Sequence, residues 1–88
     1  HVYSPFVELE LAKIAQTNNK NEESLNLLLD ALEYSRKITP NNLAQVYYEL
    51  IVLYEEFENN IKKDEFINKC KSIEGTTDSL YKKMCDEM

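Results

Sequence analysis

Glycine occurs once in this sequence and proline twice, histidine stands only at position 1, and no apolar run approaches the roughly 18 residues of a membrane span. So few turn formers exclude a many-stranded sandwich or barrel. With Gly75 as the sole glycine there is no Gly-rich loop to cradle a phosphate, and without an internal histidine no Ser or Cys nucleophile has an imidazole base. The two cysteines lack the partner histidines of a zinc site, and Asp64-Glu65 lacks the alternating oxygen ligands of a calcium loop. Neither metal, nor cofactor, nor enzymatic activity is expected. The start, His1-Val2-Tyr3-Ser4-Pro5, has no charged segment followed by an apolar one, so no secretory signal is read there. The missing initiator Met is what a fragment of a longer array or a processed product would show, and the compartment is left open.

What is present points to helices. Eighty-eight residues, 43% hydrophobic and 30% charged, fit one small domain over 1–88 with a thin core, roughly 64% of the unfolded surface being buried on folding. Sixteen acidic against ten basic side chains give a net charge of -6, which repels phosphate backbones and anionic lipid. Nucleic acid and membrane are therefore not expected partners. Between Ile38 and Ile61 there is no Lys or Arg, while Glu49, Glu55, Glu56 and Glu58 gather there and Lys62 and Lys63 follow at once.

Five helices are expected from spacing and capping signals. The first runs from Pro5, behind the capping Ser4, to about Gln16, and the second from a capping Asn21 to about Ile38. The second carries two apolar stripes, Leu25, Leu28, Leu32 and Leu27, Ala31, Tyr34, Ile38, which predicts cover on two sides. Thr39-Pro40 ends it and caps a third helix over 41–57, rich in Leu43, Val46, Tyr47, Leu50, Ile51, Leu53, Tyr54 and Phe57. A fourth, 61–74, buries Phe66, Ile67, Cys70 and Ile73 and is closed by Gly75; a fifth starts near Thr77 or Asp78 with Leu80, Tyr81, Met84, Cys85 and Met88 on one stripe. Turns this short make consecutive helices antiparallel neighbours.

Set side by side, the two hairpins repeat. Leu11, Ala12, Ser24, Leu28 and Ala31 of the first have Tyr47, Leu50, Tyr54, Phe66, Ile67, Cys70 and Ile73 in the corresponding places of the second, and Pro40-Asn41-Asn42 marks the junction. With Tyr47, Tyr48, Leu50, Tyr54 and the small residues Ala31 and Cys70, this resembles the tetratricopeptide repeat, in which small residues let helices approach and large ones fill between hairpins. The resemblance implies an all-α fold of antiparallel hairpins stacked as a right-handed superhelical array: repeat one at 5–38, repeat two at 40–74 and a capping helix at 77–88. The period departs from the family: Leu11 to Leu50 is 39 residues rather than about 34. Ile51 and Lys63 also stand where the family prefers small residues.

The resemblance also implies function, through the groove that the first helix of each pair lines. Carried over residue by residue, the partner-binding positions are Phe6, Leu9, Lys13 and Gln16, then Gln45, Tyr48, Val52 and Glu55. Leu9, Tyr48 and Val52 replace the polar positions by which some members clamp a C-terminal carboxylate, so an apolar or basic helix or extended segment is the expected partner. The alternatives are self-assembly, for instance as a homodimer, and the peptide-sensing repeat domain of a bacterial regulator. Cys70 and Cys85 lie on consecutive helices with an axial offset of roughly 3 Å. Buried free thiols, as in a reducing cytosol, are the favoured reading over a disulfide, which would indicate the periplasm or another oxidising space.

Overall fold

Short polar segments set where the helices of this protein start and stop. The computed structural model describes residues 5–34, 38–75 and 79–88, and of residues 5, 6, 8 and 34 the backbone alone. Five α-helices and no strand occur among them: α1 (Pro5–Thr17), α2 (Asn21–Tyr34), α3 (Pro40–Glu56), α4 (Asn60–Lys71) and α5 (Leu80–Asp86). The chain divides into two compact units, His1–Ile38 with α1 and α2, and Thr39–Met88 with α3, α4 and α5.

The caps follow the local chemistry. Thr39, in extended conformation, accepts the Asn42 amide at its hydroxyl, and Pro40 supplies a fixed φ at the first helical position, where its missing N–H costs nothing. Asn59 accepts from Lys62 at the start of α4 and Ser79 from Lys82 at the start of α5. Asn21 is itself the first residue of α2 rather than its cap, and Glu22 and Glu23 place negative charge in the first turn. Ser4, the cap expected for α1, lies outside the described residues.

Both hairpins turn by the same device. In the first, Asn19 takes a left-handed φ of 62°; its amide donates to Gln16 and that of Lys20 to the Ala15 carbonyl. In the second, Glu58 takes φ 57°, its amide donates to Glu55 and that of Asn59 to Tyr54. This is the paired hydrogen-bond pattern by which one left-handed residue closes a helix. Every element of it recurs 39 residues on: Thr17 and Glu56 end the first helices, Asn21 and Asn60 begin the second. The period seen in the side chains is thus a property of the backbone as well.

Several boundaries differ from expectation. Helix α4 ends at Lys71, not near residue 74; its C-cap Ser72 donates its hydroxyl to the Asn68 carbonyl and its amide to Asn68 and Lys69. Gly75, with φ 82°, bends the chain beyond that end instead of closing the helix. Helix α2 is described as far as Tyr34, and Ile38 is not helical; residues 35–37, and the Thr77 and Asp78 start proposed for α5, lie outside the described residues.

In the first unit the buried residues among those described are Leu9, Ala12 and Ala15 on α1, and Ser24, Leu28 and Ala31 on α2. Each expected stripe of α2 has one residue in this set, Leu28 from the first and Ala31 from the second. Leu25, Leu27 and Leu32 are only half-buried, since the small Ser24 turns to α1 and donates from Oγ to the Ala12 carbonyl at 2.8 Å. Two small side chains let the helices meet at this level. In the second unit the core is Ala44, Val46, Leu50, Ile51, Leu53 and Tyr54 on α3, with Phe66 and Cys70 on α4 and Cys85 on α5. Phe57 and Leu80, expected inside, are exposed.

The free-thiol reading of the cysteines is overturned. Cys70 and Cys85 are buried and joined as a disulfide, with Cα atoms 6.0 Å apart. The small axial offset across the α4 to α5 turn brings two inward-facing positions within the range a bridge spans. It fastens α5 onto the hairpin, helped by the Tyr48 and Tyr81 rings at 5.6 Å and by Lys71 Nζ donating to the Met88 carbonyl.

Two outcomes are expected. Reduction, or Cys85→Ser, lowers stability by about 3 kcal/mol for a loop closed over 15 residues, read as a lower urea midpoint; intact mass of the untreated protein is two hydrogens below that of the reduced chain. Glu58→Gly stabilises by about 0.5–1 kcal/mol because it removes the Cβ clash of the left-handed conformation, partly offset by a freer unfolded chain, and denaturant melts read it directly.

Candidate functional site

A hollow of about 380 Å³ opens on the second unit between α3 and α4, with Met88 at its edge. Its apolar lining comes from Tyr48, Ile51 and Val52 on α3 and Ile67 on α4, and its polar rim from Glu55, Lys63 and Asp64. Helical spacing explains why these meet: Tyr48, Val52 and Glu55 fall three and four residues apart on one face of α3, while Lys63 and Ile67 do so on α4.

Three of the expected partner-binding residues, Tyr48, Val52 and Glu55, therefore share one hollow. Tyr48 is half-buried against Tyr81 of α5, Val52 is half-buried and Glu55 is exposed. Gln45, one turn before Tyr48, is half-buried and is not among the lining residues; its Nε2 is buried and meets no hydrogen-bond partner among the described residues. In the first unit Leu9 is buried, and Lys13 and Gln16 are half-buried, Lys13 lying 3.9 Å from Glu10. The side chain of Phe6 lies outside the described residues.

Residues that sequence reasoning did not assign to a site complete the hollow. Ile67 and Met88 were read as core and Lys63 as a departure from the repeat pattern. Lys63 occupies the place that Ser24 holds in the first hairpin, and where Ser24 packs, Lys63 extends its stem and brings Nζ to 3.3 Å from Glu55 Oε1. The acidic run on α3 is thereby relieved at Glu55. The signal was the Lys62-Lys63 pair directly after the run, and only the turn geometry decides which of the two lysines reaches back.

On α4, Glu65 receives the Lys69 ammonium at 3.2 Å and has Lys62 at 3.7 Å, while Lys69 Nζ lies 5.0 Å from the Phe66 ring centroid. The hydrogen bond from Lys69, then the charge of Lys62, hold the Glu65 carboxyl below its usual range. Among the described residues no group of three or more His, Cys, Asp and Glu is placed to hold a metal ion, and no helix is long and apolar enough to cross a membrane. Comparison with family models, with curated proteins and with solved structures finds no match for this chain.

The depressed Glu65 carboxyl has a pH signature. A group whose pKa falls on folding contributes stability above its unfolded pKa, and that contribution fades as pH drops through the folded value. Carbon-detected NMR titration should give Glu65 a midpoint below that of free glutamate, and Lys69→Ala should move the midpoint up.

Proposed function

We propose that this protein is a tetratricopeptide-like helical-repeat module that binds a segment of another protein in the hollow of its second unit. The observation that carries this reading is the hollow itself, where Tyr48, Ile51, Val52 and Ile67 offer apolar surface and Glu55, Lys63 and Asp64 a charged rim. Aromatic and aliphatic anchors inside a polar rim are the usual anatomy of a protein-recognition site. The tetratricopeptide-like reading is supported by the repetition of the helical hairpin with the same turn and by the small-on-small contact of Ala12 and Ser24, while the 39-residue period is longer than that family's. Binding here works by a preorganised surface without covalent chemistry, and the -6 charge favours an apolar to basic partner segment. A buried bridge between Cys70 and Cys85 supports an oxidising compartment such as the periplasm.

Self-assembly is a second reading, favoured by Ile61 and Leu80, which are 83% and 65% exposed. Light scattering at high micromolar concentration separates the two, since a monomer excludes self-assembly. The peptide-sensing alternative gains no support, because Asn18, Asn19 and Asn59 sit in turns and Asn41, Asn42 and Asn60 in first helical turns. For the binding hypothesis, peptides selected from a random display library on the full chain should be rich in apolar and basic residues. Val52→Glu should weaken them by about tenfold or more and Glu55→Lys by less, with helical circular dichroism unchanged. Selected peptides that bind both variants as well as the parent chain would refute it.

A further inference from the structure

The shared turn geometry allows the two hairpins to be compared position by position, and one of the levels at which they differ lies next to the turn. In the second, the Tyr54 and Phe66 rings stack with centroids 5.7 Å apart and planes 8° from parallel, filling the cleft between α3 and α4. Both rings are buried, and Leu53 beside them is fully so. Thirty-nine residues earlier the same positions hold Ala15, Leu27 and Ile14. There the cleft stays open: a hollow of about 340 Å³ is lined by Leu11, Ile14, Ala15 and Leu27, and Ile14 is 58% exposed.

Where the second hairpin sets a tyrosine before the shared turn, the first sets an alanine, and the hollow beside it has an apolar wall with room for a partner's side chain. Lys20 and Glu23 also line this hollow. Both are exposed, and neither enters an ion pair among the described residues. We propose that this cleft is a second docking site, taking one aromatic side chain from a partner segment in which an acidic and a basic residue flank the ring. The ring supplies what Tyr54 supplies internally in the other hairpin, and the flanking charges meet Lys20 and Glu23. Aromatic anchors in small apolar pockets with complementary rim charges carry both affinity and register.

The site lies wholly in the first unit, so it is tested apart from the hollow on the second. Capped pentapeptides with tyrosine between glutamate and lysine, in both charge orders, are titrated into the full 15N-labelled chain. Saturable shifts are expected at the amides of Leu11, Ile14, Ala15 and Leu27, and the peptide with alanine for tyrosine should bind about tenfold more weakly or worse. Ala15→Tyr, which fills the cleft from within, should abolish binding. Ile14→Lys changes an exposed position that folding tolerates and should weaken it about tenfold. Val52→Glu, in the other hollow, should leave it unchanged. No shifts at millimolar peptide, equal binding of the alanine peptide, undiminished binding to Ile14→Lys, or loss on Val52→Glu would each overturn the proposal.

Discussion

One left-handed residue in each hairpin turn governs the rest of this structure. A helix of 12 to 17 residues buries nothing by itself, and a turn of three residues obliges the next helix to run back along the one before it. Asn19 and Glu58 make those turns feasible, satisfying the final carbonyls of α1 and α3 while they reverse the chain. That neither is glycine explains how a chain with a single glycine still makes sharp hairpins. Asparagine tolerates the conformation comparatively well, whereas Glu58 holds it at a cost that the packing of α3 against α4 offsets.

From an equal start the hairpins are filled in different ways. The first relies on close approach, with Ala12 and Ser24 in contact and a hydroxyl donated to a main-chain carbonyl. The second carries Ile51 and Lys63 there and is filled instead by the stacked Tyr54 and Phe66. Lys63, too long to be buried, turns its ammonium to Glu55, which links a packing substitution to the electrostatics of the neighbouring hollow. Among the described residues each unit carries an apolar hollow bordered by charges of both signs.

The disulfide belongs to the same economy of a thin core. Helix α5 has only seven residues, and much of its apolar surface, Leu80 above all, faces solvent. Such a helix is marginal without a tether. The Cys70–Cys85 bridge, the Tyr48–Tyr81 contact and the bond from Lys71 to the Met88 carbonyl hold it against α3 and α4.

The all-helical character, the Thr39 cap and the 39-residue period were legible in the sequence, because caps and helical spacing are local properties of a few neighbouring residues. So was the grouping of Tyr48, Val52 and Glu55, which one face of one helix already guarantees. Tertiary structure alone decided the rest. Whether Cys70 and Cys85 join depends on how two helices align across a turn. That Lys63 rather than Lys62 reaches Glu55, and that Tyr54 stacks on Phe66, are facts about what stands across a gap. A linear sequence specifies each wall of such a gap separately; the distance between the walls exists only once the chain has turned back on itself.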